Sequence, residues 1–93
     1  MKIKINEARV LAFKKIKEIY ETEISIIDEL TEEHDFGWVF YYNSKKFLET
    51  KDRMSMLMGN NPIVVLRSGK IDYLNLAWGY ELALDKLKEN LEK

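Results

Sequence analysis

The chain has 93 residues, one domain's length (1–93), and so short a domain buries only about 60–65% of its unfolded surface, which leaves little apolar material for anything but the core. Its 46% hydrophobic and 33% charged residues are the make-up of a folded globular domain and not of a disordered or fibrous chain, and a net charge of −1 points by itself to no polyanionic partner. There is no cysteine to staple a secreted scaffold, and no segment approaches the roughly 18 apolar residues of a membrane helix.

In chain order, the basic start Met1-Lys2-Ile3-Lys4-Ile5-Asn6 leads into no uninterrupted apolar stretch, so no signal peptide is expected and the expected location is the cytoplasm. Residues 6–20 read as an amphipathic helix: Ile5, Ala8, Ala12, Ile16 and Ile19 recur at spacings of three and four, with Asn6 as a suitable N-cap. Residues 24–32 read as a strand, with Ile24, Ile26 and Leu30 on one face. The polar stretch Glu32-Glu33-His34-Asp35 is expected to turn the chain. Residues 36–43 are dense in aromatic and β-branched side chains, so a strand is expected there. Phe36, Trp38, Phe40 and Tyr42 would project to one side, and Val39 and Tyr41 to the other. Two apolar faces place that strand centrally.

Residues 44–61 suggest a short helical turn and a loop that ends at Pro62. Ile63-Val64-Val65-Leu66 then reads as a buried strand, Ser68-Gly69 as a tight turn, and residues 71–76 as the paired strand. A helical stripe of Tyr80, Ala83, Leu84, Leu87 and Leu91 closes the chain, with Glu89 and Lys93 as an i,i+4 pair. The order is α-β-β-β-β-α. The expected fold class is therefore α+β, a four-stranded antiparallel meander flanked by an N-terminal and a C-terminal helix.

Catalytic chemistry finds little footing. There is no Cys nucleophile, no serine sits in a G-x-S-x-G elbow, and the one histidine, His34, lies in an acidic stretch that reads as a solvated loop. The acids around His34 match no calcium loop, and Gly59-Asn60-Asn61-Pro62 lacks the P-loop spacing and precedes a strand where a helix would be needed. The expectation is no enzyme, no cofactor and no metal. The aromatic strand carries no basic residue to hold nucleic acid, so the expected partner is a protein, with neither nucleic acid nor membrane involved.

Charge is unevenly placed. From Glu18 to Asp35 there are eight acids and no Lys or Arg, while the first seventeen residues hold six bases and one acid, Glu7. This acidic ridge is either a solvated strand-and-loop region or a steering surface for a basic partner. Trp38 reads as core. Trp78, ahead of the last helix, is either core or a partner contact. Met54, Met56 and Met58 alternate, and gap filling or an adaptable groove would each use them.

The blocks Gly37-Trp38-Val39-Phe40-Tyr41-Tyr42-Asn43, Lys46-Phe47-Leu48-Glu49-Thr50 and Gly59-Asn60-Asn61-Pro62-Ile63-Val64-Val65, followed by the turn glycine Gly69, resemble the bacterial YrhB domain family, also classed as immunity protein family 35. That family tends to have Gly-Asp after the Glu-Thr, where this chain has Lys51-Asp52. The resemblance implies a non-enzymatic immunity role in a bacterial toxin system: a small protein that binds and blocks a cognate toxin. The alternative is a chaperone-like accessory protein that holds unfolded chains.

On this reading Glu29, Glu32, Glu33, Asp35 and Trp78 are the candidate partner contacts. The motif residues Trp38, Phe47, Leu48, Glu49, Thr50, Gly59, Asn60, Pro62 and Gly69 are expected to be structural. Phe47 and Leu48 would plug the open side of the sheet, so that Phe47→Ala would cost about 3–5 kcal/mol.

Overall fold

A computed structural model describes residues 2–58 and 60–91. Gly59 and the Glu89–Lys93 pair, through Lys93, therefore fall outside the described residues. Helix α1 (Ile5–Ile19) is followed by strands β1 (Ile24–Ile26), β2 (Glu32–His34), β3 (Gly37–Phe40) and β4 (Tyr42–Ser44). Helix α2 (Lys45–Thr50), strands β5 (Ile63–Leu66) and β6 (Ile71–Tyr73) and helix α3 (Tyr80–Leu91) complete the chain. Single 3-10 turns occupy Asp28–Leu30, Arg53–Ser55 and Leu76–Trp78.

The expected four-stranded antiparallel sheet with a helix at each end is formed, in the strand order β2-β3-β5-β6. β1 and β4 make a separate antiparallel pair. Alternation along the central strands decides the layers. Trp38, Phe40, Ile63 and Val65 face α1, where Ala8, Ala12 and Ile16 close the first core together with Ile24, Ile26 and Tyr42. Val39, Val64 and Leu66 face the other way and meet Leu74, Ala83 and Leu87 of the α3 layer. Both faces of β3 and β5 are thus covered, which is why all eight of their residues are buried.

Several boundaries differ from the sequence reading. Helix α1 begins one residue before Asn6, with Lys4 at the N-cap. The Ile3 N–H is held by the Arg67 carbonyl at 2.9 Å and the Glu7 carboxylate accepts the Lys4 N–H at 3.2 Å, so the chain enters the helix early. The strand expected over 24–32 breaks after Ile26, because Asp28 turns out to meet Arg9 of α1 in a two-bonded ion pair (2.7 and 3.1 Å), and Leu30 is left exposed. Glu32, Glu33 and His34 do not turn the chain. They pair with Val39, Trp38 and Gly37 as an edge strand.

The turn is Asp35-Phe36, and it rotates Phe36 onto the α3 layer, away from the Trp38 face. Only glycine fits after it: Gly37 has φ +150°, and a Cβ there would lie 2.1 Å from the Val65 carbonyl oxygen. At the far end of the sheet the last strand stops at Tyr73, and residues 76–78 form a 3-10 turn.

Candidate functional site

Glu32 sits where three elements meet. β-pairing with Val39 turns its side chain to the α3 face, and there its Oε1 accepts from the Tyr80 hydroxyl at 2.7 Å and lies 2.8 Å from His34 Nε2. Its Oε2 accepts from the Tyr41 hydroxyl at 3.0 Å. Partial burial alone would raise the pKa of this carboxyl, but the three hydrogen bonds outweigh it and hold the group below the ordinary glutamate value. The reciprocal effect pushes the Tyr80 hydroxyl up to about 12, and burial with the same carboxylate lifts Tyr41 as well. His34 is not a solvated loop residue. Its ring stacks on Phe36 with centroids 4.8 Å apart, and its Nε2 is committed to Glu32.

This node ties β2 to the first residue of α3, two residues after Trp78, which is 52% exposed. Residues 71–85 contain three acids (Asp72, Glu81, Asp85) and, like residues 18–44, no Lys or Arg before Lys45. The face built from β2 and the start of α3 is therefore drawn from two stretches that are both free of Lys and Arg. Leu76, Trp78, Tyr80 and Leu82 are exposed large side chains of residues 76–82.

Much of the ridge is nevertheless paired by bases from elsewhere. Glu18 meets Lys15 at 3.7 Å, Glu23 meets Lys45 at 3.7 Å, Asp28 meets Arg9, and Glu33 meets Arg67 at 3.3 Å. Among the described residues Glu21, Glu29 and Asp35 make no ion pair. Of the candidate contacts, Glu29 and Asp35 thus present net charge, Glu33 is half of an exposed pair, and Glu32 is engaged internally.

Arg67 was not legible as important in the sequence. Its guanidinium lies over the Trp38 ring at 4.4 Å and donates to the His34 carbonyl at 2.7 Å, which clamps the β2–β3 turn. Among the described residues no three His, Asp or Glu side chains form a group able to hold a metal ion, and no helix is long and apolar enough to cross a membrane.

A family model described as immunity protein 35 matches residues 6–80, from the first turn of α1 to the first residue of α3. The chain belongs to the immunity protein 35 family. No curated protein and no solved structure matches it significantly. The matched span contains both ends of the Glu32–Tyr80 bond.

Within this immunity-protein domain the motif residues fall into distinct places. Trp38 is core, and Pro62 is buried at the entry to β5. Asn60 Nδ2 donates to the Tyr42 carbonyl at 3.0 Å, and Gly69, at φ +93°, closes the β5–β6 turn through its N–H to the Leu66 carbonyl at 2.8 Å. Thr50 Oγ1 donates to the Lys46 carbonyl at 2.7 Å and accepts the Asp52 N–H, while Glu49 is exposed.

Phe47 and Leu48 are half-buried on α2, beside the β1–β4 pair, and belong to neither core. They do not plug the main sheet, because α1 and α3 already cover it. Lys51, at the family's glycine position, ends α2 in the left-handed region at φ +61°, the conformation that glycine adopts without strain.

Proposed function

We propose that this immunity-family protein binds a cognate protein toxin and blocks it, performing no reaction itself. The supporting observation is the family match over residues 6–80, which takes in the acid-rich stretch 18–35 and the exposed Trp78. An exposed tryptophan and the carboxylates of Glu29 and Asp35, which make no ion pair among the described residues, suit a basic partner. The aromatic side chain supplies buried area and the carboxylates speed encounter. Glu29, Glu32, Glu33, Asp35 and Trp78 are the residues assigned to that contact.

The test is co-expression with the product of the neighbouring reading frame. Rescue of growth and co-purification at a fixed stoichiometry support the reading, with binding weakened by Trp78→Ala and slowed by Glu29→Gln with Asp35→Asn. Absence of any complex or rescue refutes it. Met54 and Met58, which are 93% and 81% exposed, favour a second reading, a chaperone-like holder of unfolded chains. That reading requires weak binding to many partners with no defined stoichiometry.

A further inference from the structure

We propose that the outer edge of β6 pairs antiparallel with β6 of a second copy of this chain, with the two Ile71 residues facing each other at the two-fold axis.

β6 is the end strand of the four-stranded sheet, on the side away from β2. The Lys70 carbonyl accepts the Leu66 N–H at 2.8 Å, and the Leu74 N–H donates to the Pro62 carbonyl at 3.1 Å. Residues 70, 72 and 74 therefore bond to β5, and the main-chain groups of Ile71 and Tyr73 point outward. Among the described residues the Ile71 N–H, the Ile71 carbonyl and the Tyr73 carbonyl enter no hydrogen bond. The Tyr73 N–H is met only by the adjacent Asp72 Oδ1 at 2.8 Å. This edge is also accessible. Ile71 and Asp72 are half-buried and Tyr73 is 41% exposed, whereas Ile24 and Ile26 of β1 are sealed in the core.

Charge on the edge selects the occupant. Asp72 lies opposite Val64, whose side chain faces α3, so Lys70 and Asp72, two residues apart, share that face of the sheet. Neither makes an ion pair among the described residues. Antiparallel pairing centred on Ile71 sets Lys70 opposite Asp72 of the second copy and Asp72 opposite its Lys70, so one two-fold axis closes both pairs. The two Ile71 residues then exchange both N–H···O=C bonds. Tyr73 falls opposite Gly69, which has no side chain to obstruct the ring.

Neighbouring registers are worse. Centring on Asp72 sets the two carboxylates against each other, and centring on Tyr73 sets Asp72 against the buried Leu74. Charged residues on an edge discourage pairing with unrelated strands, and here they match a strand of the same Lys-Ile-Asp order run antiparallel, which a second copy supplies. The contact leaves the β2 edge free, so a dimer presents Glu32 and Glu33 twice. It does not depend on the immunity reading.

Sedimentation of the full chain over a concentration series, with charge-reversed variants, tests this. Three-residue strands bury little, so the dimer belongs with interfaces below about 1,200 Å² and the series should reach about millimolar. Wild type should dimerise, with exchange of the Ile71 amide slowing as concentration rises while the Asp72 amide, bonded to β5, changes little. Lys70→Glu and Asp72→Lys each make both pairs repulsive and should weaken dimerisation by about tenfold or more. An equimolar mixture of the two variants should form a heterodimer, because each then meets its opposite charge. Lys70 is exposed, so Lys70→Glu stays folded and decides the matter even if Asp72→Lys does not. A wild type that stays monomeric throughout, or a dimer that Lys70→Glu leaves unchanged, overturns the proposal. Two monomeric variants that fail to associate when mixed overturn the register. An Ile71 amide that slows only when the neighbouring-frame toxin is added gives the edge to that protein and overturns self-pairing.

Discussion

Glu32→Gln separates a structural carboxylate from a rim charge. A glutamine keeps one acceptor oxygen and places an amide where the other was, so the bonds from Tyr80, Tyr41 and His34 lose their charge assistance and one of them faces a donor. Hydrogen bonds to charged groups are worth about 1.5–3 kcal/mol and neutral ones about 0.5–1.5, and both tyrosines reach solvent in part, so the net loss should be about 2 kcal/mol. For a domain of this size that lowers the melting temperature by roughly 8–16 °C. A double-mutant cycle with Tyr80→Phe should show coupling, because the two changes remove the same bond.

The pH dependence gives a second readout of the same carboxylate. The folded carboxyl has a pKa below its ordinary 4.5, so the unfolded chain binds more protons as pH falls. The stabilisation is present above 4.5 and lost as pH drops through the folded value, and Glu32→Gln should lack that part of the acid slope. On the alkaline side Tyr80 is raised from 10.0 to about 12, so its share is present below pH 10 and lost toward 12. A Glu32→Gln protein with an unchanged melting temperature and acid slope would refute the node.

Three further changes probe other contacts. Arg67→Ala should cost about 2 kcal/mol in urea unfolding by removing the clamp on His34 and the stack on Trp38, and Arg67→Lys should not restore it, because an ammonium has no flat face to stack. Lys51→Gly should stabilise by about 0.5 kcal/mol, since relief of left-handed strain exceeds the added freedom of the unfolded chain, and a lowered melting temperature would contradict the φ of +61°. Phe47→Ala should cost about 1–2 kcal/mol, below the 3–5 kcal/mol of a core position, because α2 lies outside both cores.

The central strands were legible because their signal is local. Gly37-Trp38-Val39-Phe40 and Ile63-Val64-Val65-Leu66 are apolar on both faces, and only a strand covered on both sides can use that. The edges were harder. Glu32-Glu33-His34 has turn-like composition, and what makes it a strand is the neighbouring β3. Asp28 similarly breaks an otherwise regular strand pattern because Arg9, 19 residues earlier, reaches it.

The acid run illustrates why a surface is less legible than a core. Eight acids with no Lys or Arg between them read as an intense local field, and charge on one stretch of chain says nothing about what folds against it. Lys45 is brought to Glu23, Arg67 to Glu33, and the Tyr80 hydroxyl comes to Glu32 from 48 residues away. What remains unpaired is concentrated at Glu21, Glu29 and Asp35. Electrostatic steering should therefore depend on those positions, and a change at Glu32 acts first on how β2 and α3 hold together. Alternation of Glu32 with His34 along one strand face, together with a tyrosine at the start of a helix, was the available hint. It becomes decisive only when the register puts Glu32 opposite Val39.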